Sequence, residues 1–227
     1  RVAALLSGDP VMIQEYIDGI DRHANTALFF WPDADITSDE FTRKPDGQRQ
    51  AGKTTNFLVL YKGGAFKLQE TIMRDTGRVV SLKKCQEAIW ACYSKYKRFG
   101  AWQQELLDTV ASQGYLELIT GWSRTWSKGT PKGSVINEIC DFPVQTIAAQ
   151  IAQSAHYEIE KELLQRRLKT KICLQVHDSL LLDGPKEEEK EIDSFIGIYL
   201  TKPPLLEILE NELGRSVPIL YEKEIII

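Results

Sequence analysis

The sequence predicts an α+β protein: a mostly helical first half, then a part in which a small antiparallel sheet packs on helices. Three observations predict it. Apolar residues recur at helical spacing through 48–61, 81–99 and 102–112. A second Ala/Ile/Leu face begins at Pro143 and continues to 168. Two short apolar runs, 172–176 and 180–182, flank His177-Asp178-Ser179 and read as a buried hairpin.

The elements follow in order. Asp9-Pro10 starts a helix, with Asp9 as the cap and Pro10 in the first turn, and a second helix follows from Asp21. Pro32 and the polar stretch to Gly47 form an exposed connection. Helical spacing resumes at 48–61, stops at Lys62-Gly63-Gly64, and returns in 81–99 and 102–112. Residues 115–119 read as a strand and 121–134 as a loop, before a long helix at 143–168 with Pro143 near its start. After the hairpin come a charged helix from Lys186 and a last strand, 217–227.

Composition excludes some classes of function. No apolar run among the 227 residues approaches the roughly 18 needed to cross a bilayer. Cys85, Cys92, Cys140 and Cys173 lack metal-ligand spacing and read as reduced thiols of an intracellular protein. A net charge of −4 does not hold nucleic acid by bulk electrostatics. Cations nevertheless gather between Arg43 and Arg98, while acids dominate from Asp183 to Glu224. The basic middle suits a polyanion or a solvated helix surface equally.

Two segments carry chemistry. On a helix, Arg49, Lys53, Phe57 and Tyr61 drift only about 40° per four-residue step and share one face. Two cations serve a polyphosphate, and two aromatics offer a flat surface to sugar and base. A solvated face accounts for the same Arg/Lys spacing. In the second segment, Asp178 occupies a tight turn between apolar strands, where a rigid carboxylate suits a hard divalent cation. Turns also favour Asp for its own sake.

Taken together and in this order, the two segments resemble family A (polymerase-I-like) DNA polymerases. Arg49…Lys53…Asn56-Phe57…Tyr61 is similar to that family's fingers helix, and Val176-His177-Asp178 to its palm turn. Supporting strings are Leu6-Ser7-Gly8-Asp9, Asp21-Arg22-His23, Gly114-Tyr115-Leu116-Glu117 and Pro143-Val144-Gln145. The resemblance implies a fingers subdomain at 21–119 and the C-terminal part of a palm at 1–20 and 120–227. It also implies DNA-templated DNA synthesis by a two-metal mechanism, with primer-template DNA and deoxynucleoside triphosphates as partners. Asp178 would be catalytic and hold Mg2+. Arg49, Lys53 and His23 would contact the triphosphate, though for His23 an ordinary helix-surface histidine fits as well. Phe57 would pack by sugar and base, and Tyr61 would border the nascent pair. His177 would lie near the primer end, and Gln145 would reach the minor groove.

The family usually has Gly where this chain has Leu58 and Lys62, Glu where it has Ser179, and Arg where it has Trp122. Its other magnesium-binding Asp precedes the Arg-Val that opens this sequence. The expectation is therefore a fragment, or one part of a split enzyme, inactive alone and completed by an N-terminal polypeptide carrying the first palm strand and the thumb. A non-catalytic nucleic-acid-binding or assembly module on the same scaffold is the alternative, and the expected place of either is inside the cell, where DNA is.

Overall fold

A computed structural model of the chain describes residues 1–38, 41 and 47–224. The chain divides into two compact units, 7–142 and 1–6 with 143–227. These breaks follow packing; the sequence places the subdomain breaks at 21 and 120.

In the first unit, α2 (Pro10–Ile17) starts as expected: Asp9 accepts a hydrogen bond from the Met12 amide at 3.0 Å. Asp21 caps α3 (Arg22–Ala27) through the His23 and Ala24 amides. α3 packs closely against α4 (Gln48–Leu60). A Cβ added to Gly52 would fall 1.9 Å from the His23 carbonyl oxygen, so the two helices meet backbone to backbone there. Phe30 and Ala51 pack with Leu68 and Ile72 of α5 (Ala65–Thr76) and with Cys85 and Ala88 of α6 (Leu82–Lys95). The sequence reading missed α5. Its punctuation was nonetheless present, Gly64 before it and Gly77 after it at φ 66°, with Leu68, Ile72 and Thr76 buried at four-residue spacing.

The break after α6 falls at Tyr96 rather than near Gly100, and α7 runs Lys97–Gln113. Gly100 sits inside α7, where an added Cβ would come 3.0 Å from the Tyr93 ring. β1 (Tyr115–Glu117) is shorter than predicted and pairs antiparallel with β2 (Ser123–Thr125), which lies in the predicted loop. Ser-Arg-Thr has no apolar alternation to announce a strand.

The long helix α8 is Ser134–Gln165, nine residues earlier in its start than predicted, with Pro143 in its interior. Pro143, expected in the first turn, lies in the interior and forgoes one helical hydrogen bond there. In the second unit Ile159 and Leu163 of α8 pack on Phe195 and Ile196 of α9 (Glu189–Thr201). A 3-10 turn, Lys186–Glu188, leads into α9. A further helix, α10 (Pro204–Leu213), was not anticipated, and residues 217–224 form no strand. Arg215 donates to the Leu5 and Leu6 carbonyls at the end of α1 (Val2–Ser7), at 2.7 and 2.9 Å.

β3 (Lys171–Val176) and β4 (Ser179–Asp183) form the expected hairpin, but it is not buried: its residues alternate between exposed and partly covered. Register shifts between Ile172 and Leu174, so Cys173 is the extra residue of a bulge. The bulge puts Ile172 on the core side, with Leu180 and Leu182 of the alternating β4, and leaves Leu174 and Val176 exposed, as Leu181 is on β4.

Candidate functional site

The face of α4 carries the first group of predicted residues. Arg49 is half-buried because its Nε donates to Asp21 Oδ2 at 2.7 Å, so the residue that caps α3 also anchors this guanidinium. Burial by itself would raise the Asp21 pKa, but hydrogen bonds from Arg49 and the Ala24 amide hold it below the usual carboxylate value. One turn on, Lys53 is exposed with its Nζ 5.9 Å from the centre of the Phe57 ring. The exposed Phe57 ring stacks on His23 at 6.2 Å and 23°. Tyr61 closes the helix and, with Lys53 and Phe57, borders an open groove of about 300 Å³ whose far side is Thr71 and Asp75 of α5. Arg49, Lys53, Phe57 and His23 thus stand together.

His23 is neutral here. Burial is the main cause, and the charges of Arg49, Arg22 and Lys53 add to it against Asp21, so its pKa falls to about 4. The face therefore offers two cations and an uncharged imidazole.

Residues to which the sequence reading gave no role hold this face in place. Asn56, buried on the far side of Phe57's turn, bonds Arg22, His23 and Thr26 of α3. Arg22 is clamped between the Tyr16 and Tyr96 rings, 5.0 and 4.5 Å from their centres. It also pairs with buried Glu15 at 3.1 Å, and Lys95 and the Tyr96 hydroxyl bind the same carboxylate. At the other end of α4, buried Gln103 donates to the Val59 and Leu60 carbonyls, and Asn137 to that of Tyr61. A buried Arg side chain on a charged stretch of sequence gives no signal of its partners: Tyr96 is 74 residues away, and Glu15, though near in sequence, lies on a different helix.

Leu58 and Lys62 both belong to the C-terminal ending of α4. After α4, Lys62 N–H bonds Val59 O at 3.1 Å and Gly63 N–H bonds Leu58 O at 2.8 Å, a Schellman ending with Lys62 at φ 55°. This left-handed position is where glycine is cheapest. The Leu58 side chain lies over Gly63, so close that a Cβ on Gly63 would be 2.5 Å from it. Lys62 meanwhile rests its Nζ 5.7 Å from the Tyr93 ring centre.

The second group lies in the other unit. His177 and Asp178 are the two-residue turn between β3 and β4, with Val176 opposite Ser179 and His177 at φ 54°. Both are exposed, and no described residue bonds the Asp178 carboxylate. Gln175, one strand position earlier, ties the hairpin to α8 through His156 Nδ1 at 2.8 Å. Gln145 is exposed on α8, two residues past Pro143. Ser179 is exposed at the start of β4, and Trp122 is exposed just before β2.

Among the described residues no three His, Cys, Asp or Glu gather to hold a metal ion. Asp178 is a suitable single ligand for a hard cation, but these residues do not by themselves make a magnesium site. Cysteine chemistry has no support either: burial pushes the Cys92 and Cys140 thiols up to about 11, and all four cysteines are unpaired. No described helix is long and apolar enough to cross a membrane.

Comparison with known proteins places these observations. A family model described as DNA polymerase family A matches residues 1–219. The thermostable DNA polymerase I of Thermus thermophilus is 27% identical over 222 residues, covering 95% of this chain and 25% of its own. DNA polymerase I of Chloroflexus aurantiacus is 27% identical over 194 residues, covering 83% and 19%. This chain therefore spans about a quarter or less of these relatives' length. Among solved structures, the POL domain of Pol1 from M. smegmatis, in complex with DNA primer-template and dNTP, matches with a TM-score of 0.72 at 20% identity. The match covers 96% of this chain and 36% of that one, and it shows the α+β fold.

Proposed function

The chain belongs to DNA polymerase family A, and we propose on that premise that it supplies the nucleotide-binding face and part of the catalytic palm of a DNA-templated DNA polymerase. The observation that carries this reading is the convergence of Arg49, Lys53, Phe57 and His23 on one face of α3 and α4. Residues 21–119 act as fingers, and 1–20 with 120–227 as the C-terminal part of the palm.

Each side chain then has a task its chemistry suits. Arg49 and Lys53 bind the triphosphate of the incoming deoxynucleotide by charge-assisted hydrogen bonds, with His23 beside them. Asp21 holds Arg49 in line until the polyanion takes over that pairing. Phe57 offers its open ring face to sugar and base, and Tyr61 borders the nascent pair. Gln145 reads minor-groove acceptors common to all base pairs, and His177 stands near the primer end. Asp178 supplies one carboxylate to magnesium, which when bound lowers the charge barrier to phosphoryl transfer. The remaining carboxylate comes from polypeptide outside these 227 residues, together with the first palm strand and the thumb.

Primer extension tests the reading, with magnesium, all four deoxynucleotides, and this chain mixed with a polypeptide carrying the upstream strand and thumb. Extension is expected in the mixture and not from the chain alone or from the Asp178→Ala mixture. Undiminished extension by Asp178→Ala would overturn the assignment. A folded, associated mixture that binds primer-template without extending it would point to the nucleic-acid-binding module instead.

A further inference from the structure

We propose that Asn56 is a positioning residue that fixes the His23 imidazole as its Nε2–H tautomer, making Nε2 a hydrogen-bond donor for the triphosphate. The inference rests, for its ligand, on the nucleotide-binding reading of the α4 face; for the tautomer it rests on geometry alone.

The orientation of the Asn56 amide is set by a group that can only accept. Its Nδ2 lies 3.2 Å from the Arg22 carbonyl oxygen, and a reversed amide would bring two acceptor oxygens together there. Thr26 completes the arrangement, its hydroxyl donating to Asn56 Oδ1 at 3.3 Å while standing 3.0 Å from Nδ2. Asn56 is 9% exposed, so water does not compete for these bonds. The same Nδ2 is 3.1 Å from His23 Nδ1. With a fixed donor facing it, Nδ1 must accept, and the ring proton of the neutral imidazole sits on Nε2. No described residue accepts from Nε2.

The alternative tautomer would matter. A neutral ring protonated at Nδ1 presents a lone pair at Nε2, which repels a phosphate oxygen; the Nε2–H form donates to it. Recharging the ring is opposed by the groups facing it, Arg22 on its own helix and Arg49 and Lys53 on α4, with Asp21 alone in favour. Asn56 is thus how a half-buried, uncharged histidine is kept useful to an anion.

The test is two-bond 1H–15N correlation on the full 227-residue chain labelled at its histidine ring nitrogens. There are three histidines. His156 is an internal reference of the opposite kind: Gln175 Nε2 donates to the His177 carbonyl, which leaves Gln175 Oε1 facing His156 Nδ1, so that ring carries its proton on Nδ1. His23 is expected to show the Nε2–H pattern in the wild type. Asn56→Asp, which replaces the donor by an acceptor, should move the proton to Nδ1, the ring being kept neutral by its burial and by the charges of Arg49, Arg22 and Lys53. A wild-type His23 that is Nδ1–H, or an averaged mixture, overturns the proposal whether or not any variant folds. Asn56→Asp should also weaken deoxynucleoside triphosphate binding about tenfold, as loss of one hydrogen bond does, with magnesium and triphosphate as the probe. A wild-type Nε2–H ring with unchanged binding in Asn56→Asp would overturn the phosphate role and, with it, His23's place in the nucleotide reading, while leaving the tautomer assignment intact.

Discussion

On α4, Arg49, Lys53 and Phe57 each rest against another side chain, and the helix behind them is pinned by Asn56, Gln103 and the Arg22–Glu15 cluster. At the β3–β4 tip, His177 and Asp178 are placed by their own turn, with one side-chain bond, from Gln175 to the His177 carbonyl. The face proposed for the triphosphate is organised through side chains, so on that reading its function and its stability are entangled. The tip presents one carboxylate on a short ladder, so its chemistry can be removed without disturbing the fold.

The comparison breaks most readily at Arg22. Arg22→Ala leaves Glu15 buried with a single remaining cation and should cost about 3 kcal/mol in urea unfolding. A loss within experimental error would mean that the cluster is not what holds α3 to the helices around it.

Acid is the next lever. His23 has a folded pKa of about 4 against an ordinary value of 6.5, so between those pH values the unfolded chain binds more protons than the native one. Stability should therefore be complete above about pH 6.5 and decline as pH falls toward 4, by about 2 kcal/mol once partial exposure is allowed for. Asp21, with its lowered pKa, adds a loss of the same sign at lower pH. His23→Gln should flatten the first decline; an unchanged pH profile in that variant would show that another group carries it.

Smaller effects sharpen the contrast. Lys62→Gly relieves a left-handed lysine and should stabilise the chain by about 0.5 kcal/mol, the strain relieved less the added freedom of the unfolded glycine. Asp178→Ala should shift stability by less than about 0.5 kcal/mol, since its carboxylate bonds no described residue. A large destabilisation by Asp178→Ala would show the tip to be braced like α4.

What could be read from the sequence follows the same division. The α4 stripe was legible because four-residue spacing puts chemistry on one helical face, and the β3–β4 turn because apolar runs bracket it. Asn56 was visible as a letter of the stripe, but its partner His23 lies 33 residues away and no local pattern joins them. The start of α8 was hidden by Pro143, which signals a helix beginning far more often than an interior. Helix α5 was hidden by the glycines that cap it, read as a break rather than as a start and a stop. The half-exposed hairpin depends on one bulge at Cys173, and a one-residue slip exchanges faces without altering the apolar count. The expected connection at 32–47 and the last strand fall partly on residues 39–40, 42–46 and 225–227, outside the described residues.

The most direct test of the central claim is a calorimetric titration of the folded chain with a deoxynucleoside triphosphate and magnesium, repeated on Arg49→Ala and Lys53→Ala. The account predicts saturable binding that each substitution weakens about 10- to 100-fold, as loss of a charge-assisted phosphate contact does. Equal affinity in wild type and both variants, or no binding by a folded wild type, would contradict it.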